Sequence, residues 1–222
     1  QTLHYNLHDF NITQNLAALS VNYKINPVLS LGGSYKFEYI LVGGKDYDIG
    51  HSIGPSVIIS EGRGFFTEIQ YRYKYTSFKD NDLFMNNSER NGHNSLISVK
   101  QNIPVSSIVI GEVGYVYDRD TAKEDFWKYD GNKVFASLNV RLPSRFFLNL
   151  YSEYYAKDYD STNPFSDKAR RDETGTYSIS ATRLFTDNVS ISLSETYINN
   201  SSNIDVFAYN RSITTLLVNV RF

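Results

Sequence analysis

The sequence predicts an all-β protein: a transmembrane, antiparallel, up-and-down β-barrel of about twelve strands with short turns at one end and longer loops at the other. Three observations carry this expectation. First, apolar and polar residues alternate in segment after segment, as in Glu68-Ile69-Gln70-Tyr71-Arg72-Tyr73-Lys74-Tyr75, and a period of two places one set on each face of a strand. Second, aromatics reach 15% of the chain, with 18 Tyr and 14 Phe against a single Trp. A soluble sandwich does not need so many tyrosines, whereas a barrel uses them as girdles at two membrane interfaces. Third, the chain ends Leu216-Leu217-Val218-Asn219-Val220-Arg221-Phe222, an alternating strand closing on the kind of terminal aromatic that barrel insertion machinery reads. Phe222 is therefore expected to be the insertion signal.

Taken in order, residues 2–7 read as a short first strand followed by a polar connector, and eleven further strands follow from about residue 16. Residues 29–41 set Leu29, Leu31, Tyr35, Phe37 and Tyr39 against Ser30, Ser34, Lys36 and Glu38. Residues 133–142 set Val134, Ala136, Leu138 and Val140 against Lys133, Ser137, Asn139 and Arg141. Residues 146–157 set Leu148, Leu150, Tyr154 and Ala156 against Asn149, Tyr151, Glu153 and Lys157. Residues 189–197 set Val189, Ile191, Leu193 and Tyr197 against Ser190, Ser192, Ser194 and Thr196. Each has about the length a tilted strand needs to cross a bilayer. Short connectors are expected at 26–27, 60–64, 104–106, 143–145 and 185–188, alternating with longer polar ones at 43–50, 79–92, 119–131, 158–174 and 199–208. An even strand count leaves both termini on the periplasmic side, and closure follows because lipid cannot satisfy an open sheet edge.

Composition bounds the rest. The 222 residues show no composition break, proline-rich linker or charge run, so one domain over 1–222 is expected. No apolar stretch approaches the roughly 20 residues of a membrane helix, which excludes a helical membrane protein and leaves a barrel open. Cysteine is absent, as suits an envelope protein but discriminates weakly. The net charge of −2 argues against nucleic acid as a partner. There is no leader peptide, so Gln1 is expected to follow a cleavage site or to lie inside a longer chain. The location implied is a Gram-negative outer membrane, with its lipid and the barrel insertion machinery as partners.

If the apolar faces look outward, the opposite parity lines the lumen. The lumen-lining residues expected are Lys36, Glu38, Glu68, Arg72, Lys74, Lys100, Glu112, Lys133, Arg141, Glu153, Lys157 and Arg221, with Lys24 and Asp118 of the same parity. Bases outnumber acids there, and fixed charge in a narrow low-dielectric channel selects ions, which points to anion preference. The same charges also suit an interior filled by cross-strand salt bridges.

His93 and Ser95, two apart on one strand face, are the nearest approach to a Ser–His pair, but nothing marks a third orienting group. No enzyme activity and no catalytic residue are expected. Carboxylates two apart in Asp118-Arg119-Asp120 and Asp158-Tyr159-Asp160, and Asp167 beside Asn163 and Ser166, offer oxygens to calcium. None matches the spaced calcium loop, so solvated acidic loops are the expectation, with no metal and no cofactor. Lys45-Asp46-Tyr47-Asp48 recurs as Lys157-Asp158-Tyr159-Asp160, read as similar strand-end chemistry and not as a repeat.

The segments Phe126-Trp127-Lys128-Tyr129-Asp130-Gly131, Asp158-Tyr159-Asp160 before Asn163-Pro164-Phe165, Ser202-Asn203-Ile204 through Tyr209 and Arg211 into the last strand, and Asn86-Asn87-Ser88-Glu89-Arg90-Asn91-Gly92 resemble one kind of barrel. It is the C-terminal barrel of tetratricopeptide-containing outer-membrane proteins, akin to the surface lipoprotein assembly modifiers. That resemblance implies an export or assembly role in which periplasmic helical repeats gather cargo and the barrel passes it, although this chain contains no such repeat. The function expected is a pore or export channel with a net basic lumen. The alternative is an occluded barrel that anchors or docks a surface or periplasmic partner through its loops.

Overall fold

In this protein large apolar side chains are bare while several carboxylates are buried. The computed structural model describes residues 10–164 and 166–221. The expected first strand at 2–7 and the terminal Phe222 lie outside the described residues. Among the described residues the buried hydrophobic side chains are only Val42, Ala122 and Ile204, whereas Glu38, Asp48, Asp118 and Asp172 are each 8% exposed or less. Leu19, Val21, Ile53, Tyr177 and Leu193 are all more than half exposed. A soluble sandwich would bury that apolar face at about 25 cal/mol per Å². Leaving it bare is consistent only with an apolar surrounding medium.

Eleven strands make one antiparallel sheet in strict chain order. They are β1 (Ile12–Lys24), β2 (Leu29–Val42), β3 (Lys45–Gly62), β4 (Phe65–Phe78), β5 (Gly92–Pro104), β6 (Val109–Ala122), β7 (Tyr129–Leu142), β8 (Phe146–Thr162), β9 (Ala169–Leu184), β10 (Val189–Ser202) and β11 (Tyr209–Val220). This is the all-β up-and-down architecture that the alternation predicts. The sheet is not closed: β1 pairs only with β2 and β11 only with β10 among the described residues.

Register fixes the faces. Tyr35 pairs with Ile53, Ile53 with Tyr73, and Tyr73 with Ser95, a row on the apolar face. One residue along, Lys36 pairs with Ser52, Ser52 with Lys74, and Lys74 with Asn94, a row on the polar face. A one-residue slip would exchange the two everywhere.

The expected long connectors need correction: those at 119–131, 158–174 and 199–208 shrink to 123–128, 163–168 and 203–208, and one becomes a tight turn. Residues 43–50 are not a long loop, because Gly43 and Gly44, at φ 60° and 77°, form a two-residue hairpin turn between β2 and β3. Glycine takes positive φ without a Cβ clash, so the pair lets both strands run on. Strict alternation of short and long connectors therefore fails at this point. Three of the four other connectors on that end hold short 3-10 turns, at Asn87–Arg90, Asp125–Trp127 and Asp205–Phe207. Within β3, pairing to β4 passes from Ile53↔Tyr73 to Ser56↔Gln70, so the ladder lapses at Gly54-Pro55, where proline has no N–H to give.

Candidate functional site: the polar face and its mouth

The polar face is built from ion pairs and hydrogen bonds, two of whose clusters step over an intervening strand. Lys74 Nζ on β4 donates to Glu38 Oε2 on β2 at 3.0 Å, and Lys36 lies 3.8 Å from the same carboxylate. Gln14 Nε2 on β1 adds a third donor to Glu38 at 2.5 Å. The residue of β3 that pairs with Glu38 is Gly50, and a Cβ there would come within 3.0 Å of Lys74 Cε. The glycine clears the path of the bridge.

The arrangement recurs on the far side. Tyr155 on β8 donates to Asp118 on β6 at 2.8 and 3.0 Å across β7. The β7 residue paired with Asp118 is Gly131, whose missing Cβ would overlap Asp118 Oδ1 and approach the Tyr155 ring. Asn94 and Tyr129 donate to the same Asp118 at 3.2 and 3.1 Å. Lys157 Nζ stands 4.6 Å over Tyr129 and 4.7 Å over Tyr155, a cation–π arrangement that holds an ammonium without a carboxylate. Further pairs are Lys100 with Glu68 at 2.8 Å and Glu112 at 3.7 Å, Lys133 with Glu153 at 3.1 Å, and Arg170 with Asp172 at 2.5 Å.

The expected lining residues from Lys36 to Lys157 all fall on this polar parity by register. Arg221 follows the end of β11, where its backbone N–H donates to Asn188 at 2.9 Å. Lys24, Arg72, Arg141, Lys157 and Arg211 lie within salt-bridge distance of no carboxylate among the described residues. Arg72 donates to Asn94 at 3.4 Å, and its Nε is buried without an acceptor.

Sequence reasoning missed five charged residues of this face: Asp48, Asp120, Arg170, Asp172 and Arg211. The first four sit where long loops are expected, in strands that run further than anticipated, and Arg211 lies in β11 just beyond the expected connector 199–208. The signal was present in the glycines. Gly50, Gly114 and Gly131 interrupt strand patterns on the polar parity, and a strand glycine marks a close approach.

At the long-loop end, three connectors converge. The segment 79–91 is pinned by Asn87, whose amide donates to the carbonyls of Tyr47 at 3.3 Å and Lys79 at 3.2 Å. Asp80 accepts the backbone N–H and hydroxyl of Ser88, both at 2.7 Å, and these bonds hold its carboxyl below the usual carboxylate range. Lys45 lowers the Asp82 carboxyl in the same direction. Arg90 donates to the Tyr47 hydroxyl at 2.7 Å and lies 4.3 Å over Phe78 and 5.3 Å from Trp127. The Glu124 N–H donates to the Glu89 carbonyl at 3.0 Å, tying 79–91 to the connector after β6. A cavity of about 560 Å³ opens between these two connectors and Pro164 of a third.

The apolar face carries a girdle. The hydroxyls of Tyr35 and Tyr73 bond to His51 and His93, and those of Tyr115 and Tyr117 to Asn132 and Asp130. His93 therefore faces outward with its Nδ1 engaged by Tyr73, while Ser95 lies 3.3 Å from the Tyr71 hydroxyl; the two do not form a pair. Asp158 is bound by Arg171 and Asp160 by Arg119. Asp118 and Asp120 face the polar side, and no group of three or more metal-binding side chains occurs among the described residues.

No protein-family profile and no curated protein matches this chain. Solved structures do. The KdgM porin in complex with disordered oligogalacturonate aligns over 95% of this chain and 95% of its own, at a TM-score of 0.51 and 11% identity. OccAB4 of Acinetobacter baumannii aligns over 92% of this chain and 52% of its own, at a TM-score of 0.50 and 13% identity. At such identity the likeness establishes the fold, that of the outer-membrane β-barrels.

Proposed function

We propose that this chain is a passive channel of a bacterial outer membrane whose lumen prefers anions, with its short turns and both termini toward the periplasm. The observation that carries this reading is the polar face itself. It holds ion-paired charge behind a bare apolar exterior, and Arg72, Arg141 and Lys157 on it have no carboxylate within salt-bridge distance among the described residues. Cations fixed at low dielectric beyond salt-bridge reach of a carboxylate attract mobile anions. The porin-like fold supports the same class of activity, and the export duct implied by the sequence resemblance is a gated form of it. The test is conductance in a planar bilayer under a salt gradient. A reversal potential of anion sign, diminished in Arg72→Gln, is expected; cation preference or an unmoved potential would sink the basic-lumen reading.

One observation favours the alternative of an occluded barrel that docks a partner. The connectors after β4, β6 and β8 meet over the long-loop end. Absence of conductance in the intact chain, restored by shortening the segment 81–89, would select that reading.

A further inference from the structure

We infer that the cavity between the connectors after β4, β6 and β8 is a docking site for a pyranose saccharide, with Trp127 and Phe126 as its stacking surface. This rests on the channel reading, and names the solute class that the mouth receives. The cavity of about 560 Å³ falls within the 300–1,000 Å³ of small-molecule sites and is large enough for a disaccharide. Its chemistry is two-sided. Trp127 and Phe126, with ring centroids 5.4 Å apart and planes tilted by 43°, offer two apolar ring faces, either of which can pack against the C–H face of a pyranose. Glu89, Arg90 and Asn86 line the same cavity and supply a carboxylate, a guanidinium and an amide, the donors and acceptors that vicinal hydroxyls need.

The lining is held before any ligand arrives. Asn87 is clamped by two backbone carbonyls, and Arg90 by the Tyr47 hydroxyl and the Phe78 ring. Preorganised polar groups cost little further ordering on binding. A simple anion has no use for two aromatic rings and meets Glu89 beside Arg90. A wholly apolar ligand would desolvate both charges without return. A sugar satisfies both halves of the lining, and a neutral or an acidic sugar does so through the same hydroxyls and ring face.

Trp127 is the only tryptophan of the chain, so its emission reports on this cavity alone. The folded protein in detergent would be titrated with cellobiose and with a galacturonate disaccharide, using sodium acetate as the ionic control. A saturable change in Trp127 emission with either sugar is expected, the effective sugar distinguishing neutral from acidic substrates. Phe126→Ala should weaken it about tenfold, and Glu89→Gln should weaken it too, with the far-ultraviolet circular dichroism of both variants retained. Unchanged emission with both sugars, a change matched by acetate, or equal binding in both variants would overturn the assignment. Conductance is read separately: sugar binding without conduction keeps the dock and rejects the channel, and conduction without sugar binding does the reverse.

Discussion

Single glycines decide whether the polar face can assemble. Gly50 and Gly131 lie beneath bridges that pass from one strand to the next but one. Gly131→Ala would drive a methyl into Asp118 and the Tyr155 ring, and overpacking of this kind costs about 1–3 kcal/mol. Gly111→Ala, whose added methyl meets nothing closer than 3.6 Å, should be near neutral, with urea unfolding in detergent comparing the two. Lys74→Gln removes the nearest cation from Glu38, which is 8% exposed. The 3–5 kcal/mol lost on breaking a buried pair must be discounted, since solvent reaches the lysine end, to about 1–2 kcal/mol. The same titration checks this, and Glu38→Gln with Lys74→Gln should recover part of the loss. Alternation alone places Lys36, Glu38, Lys74 and Glu153 on the polar parity. The Asp118 hub was not legible, because its partners Tyr155 and Tyr129 come from later strands whose register only the fold reveals.

Among the elements, the turns diverge most from what the sequence suggests. The polar run after Gly43-Gly44 looks like a loop, but two positive φ values close a hairpin and Asp48 becomes an inward strand residue. Gly44→Ala should cost about 1–2 kcal/mol from left-handed strain alone, since a Cβ there touches nothing within 4 Å. Gly44→Asn should cost less, again by unfolding midpoint. In the segment 79–91, Asp80 is hydrogen-bonded by Ser88 and its carboxyl titrates below the ordinary value of 3.8. A carboxylate lowered in this way stabilises the folded segment above its ordinary pKa and loses that contribution as pH falls through the folded value. Trp127 emission should therefore change on acidification with a midpoint below pH 3.8, and Asp80→Asn should abolish that transition; a transition unaltered in the variant would assign it to another group.

For the whole molecule, the inversion of burial has a direct solution consequence. With Val42, Ala122 and Ile204 as the only buried hydrophobic side chains among the described residues, no apolar core stands apart from the membrane. Stripping detergent should give prompt aggregation by light scattering while β-sheet circular dichroism persists, whereas a soluble sandwich would remain monodisperse. This scale is the one most fully written in the sequence, because period-two alternation and tyrosine content are properties of every strand. The solute is not, because the mouth depends on residues such as Glu89 and Phe126, which lie on separate connectors and meet only in the folded chain.

Because each strand among the described residues pairs only with its chain neighbours, this sheet is mechanically a zip. Tension applied at the carboxyl end should peel it hairpin by hairpin, starting at β11 and giving one force peak per step. The lapse in the β3–β4 ladder at Gly54-Pro55 removes rungs from one of those steps. When the peeling front reaches that seam, the rupture force should drop, marking a soft joint in the record of a single molecule.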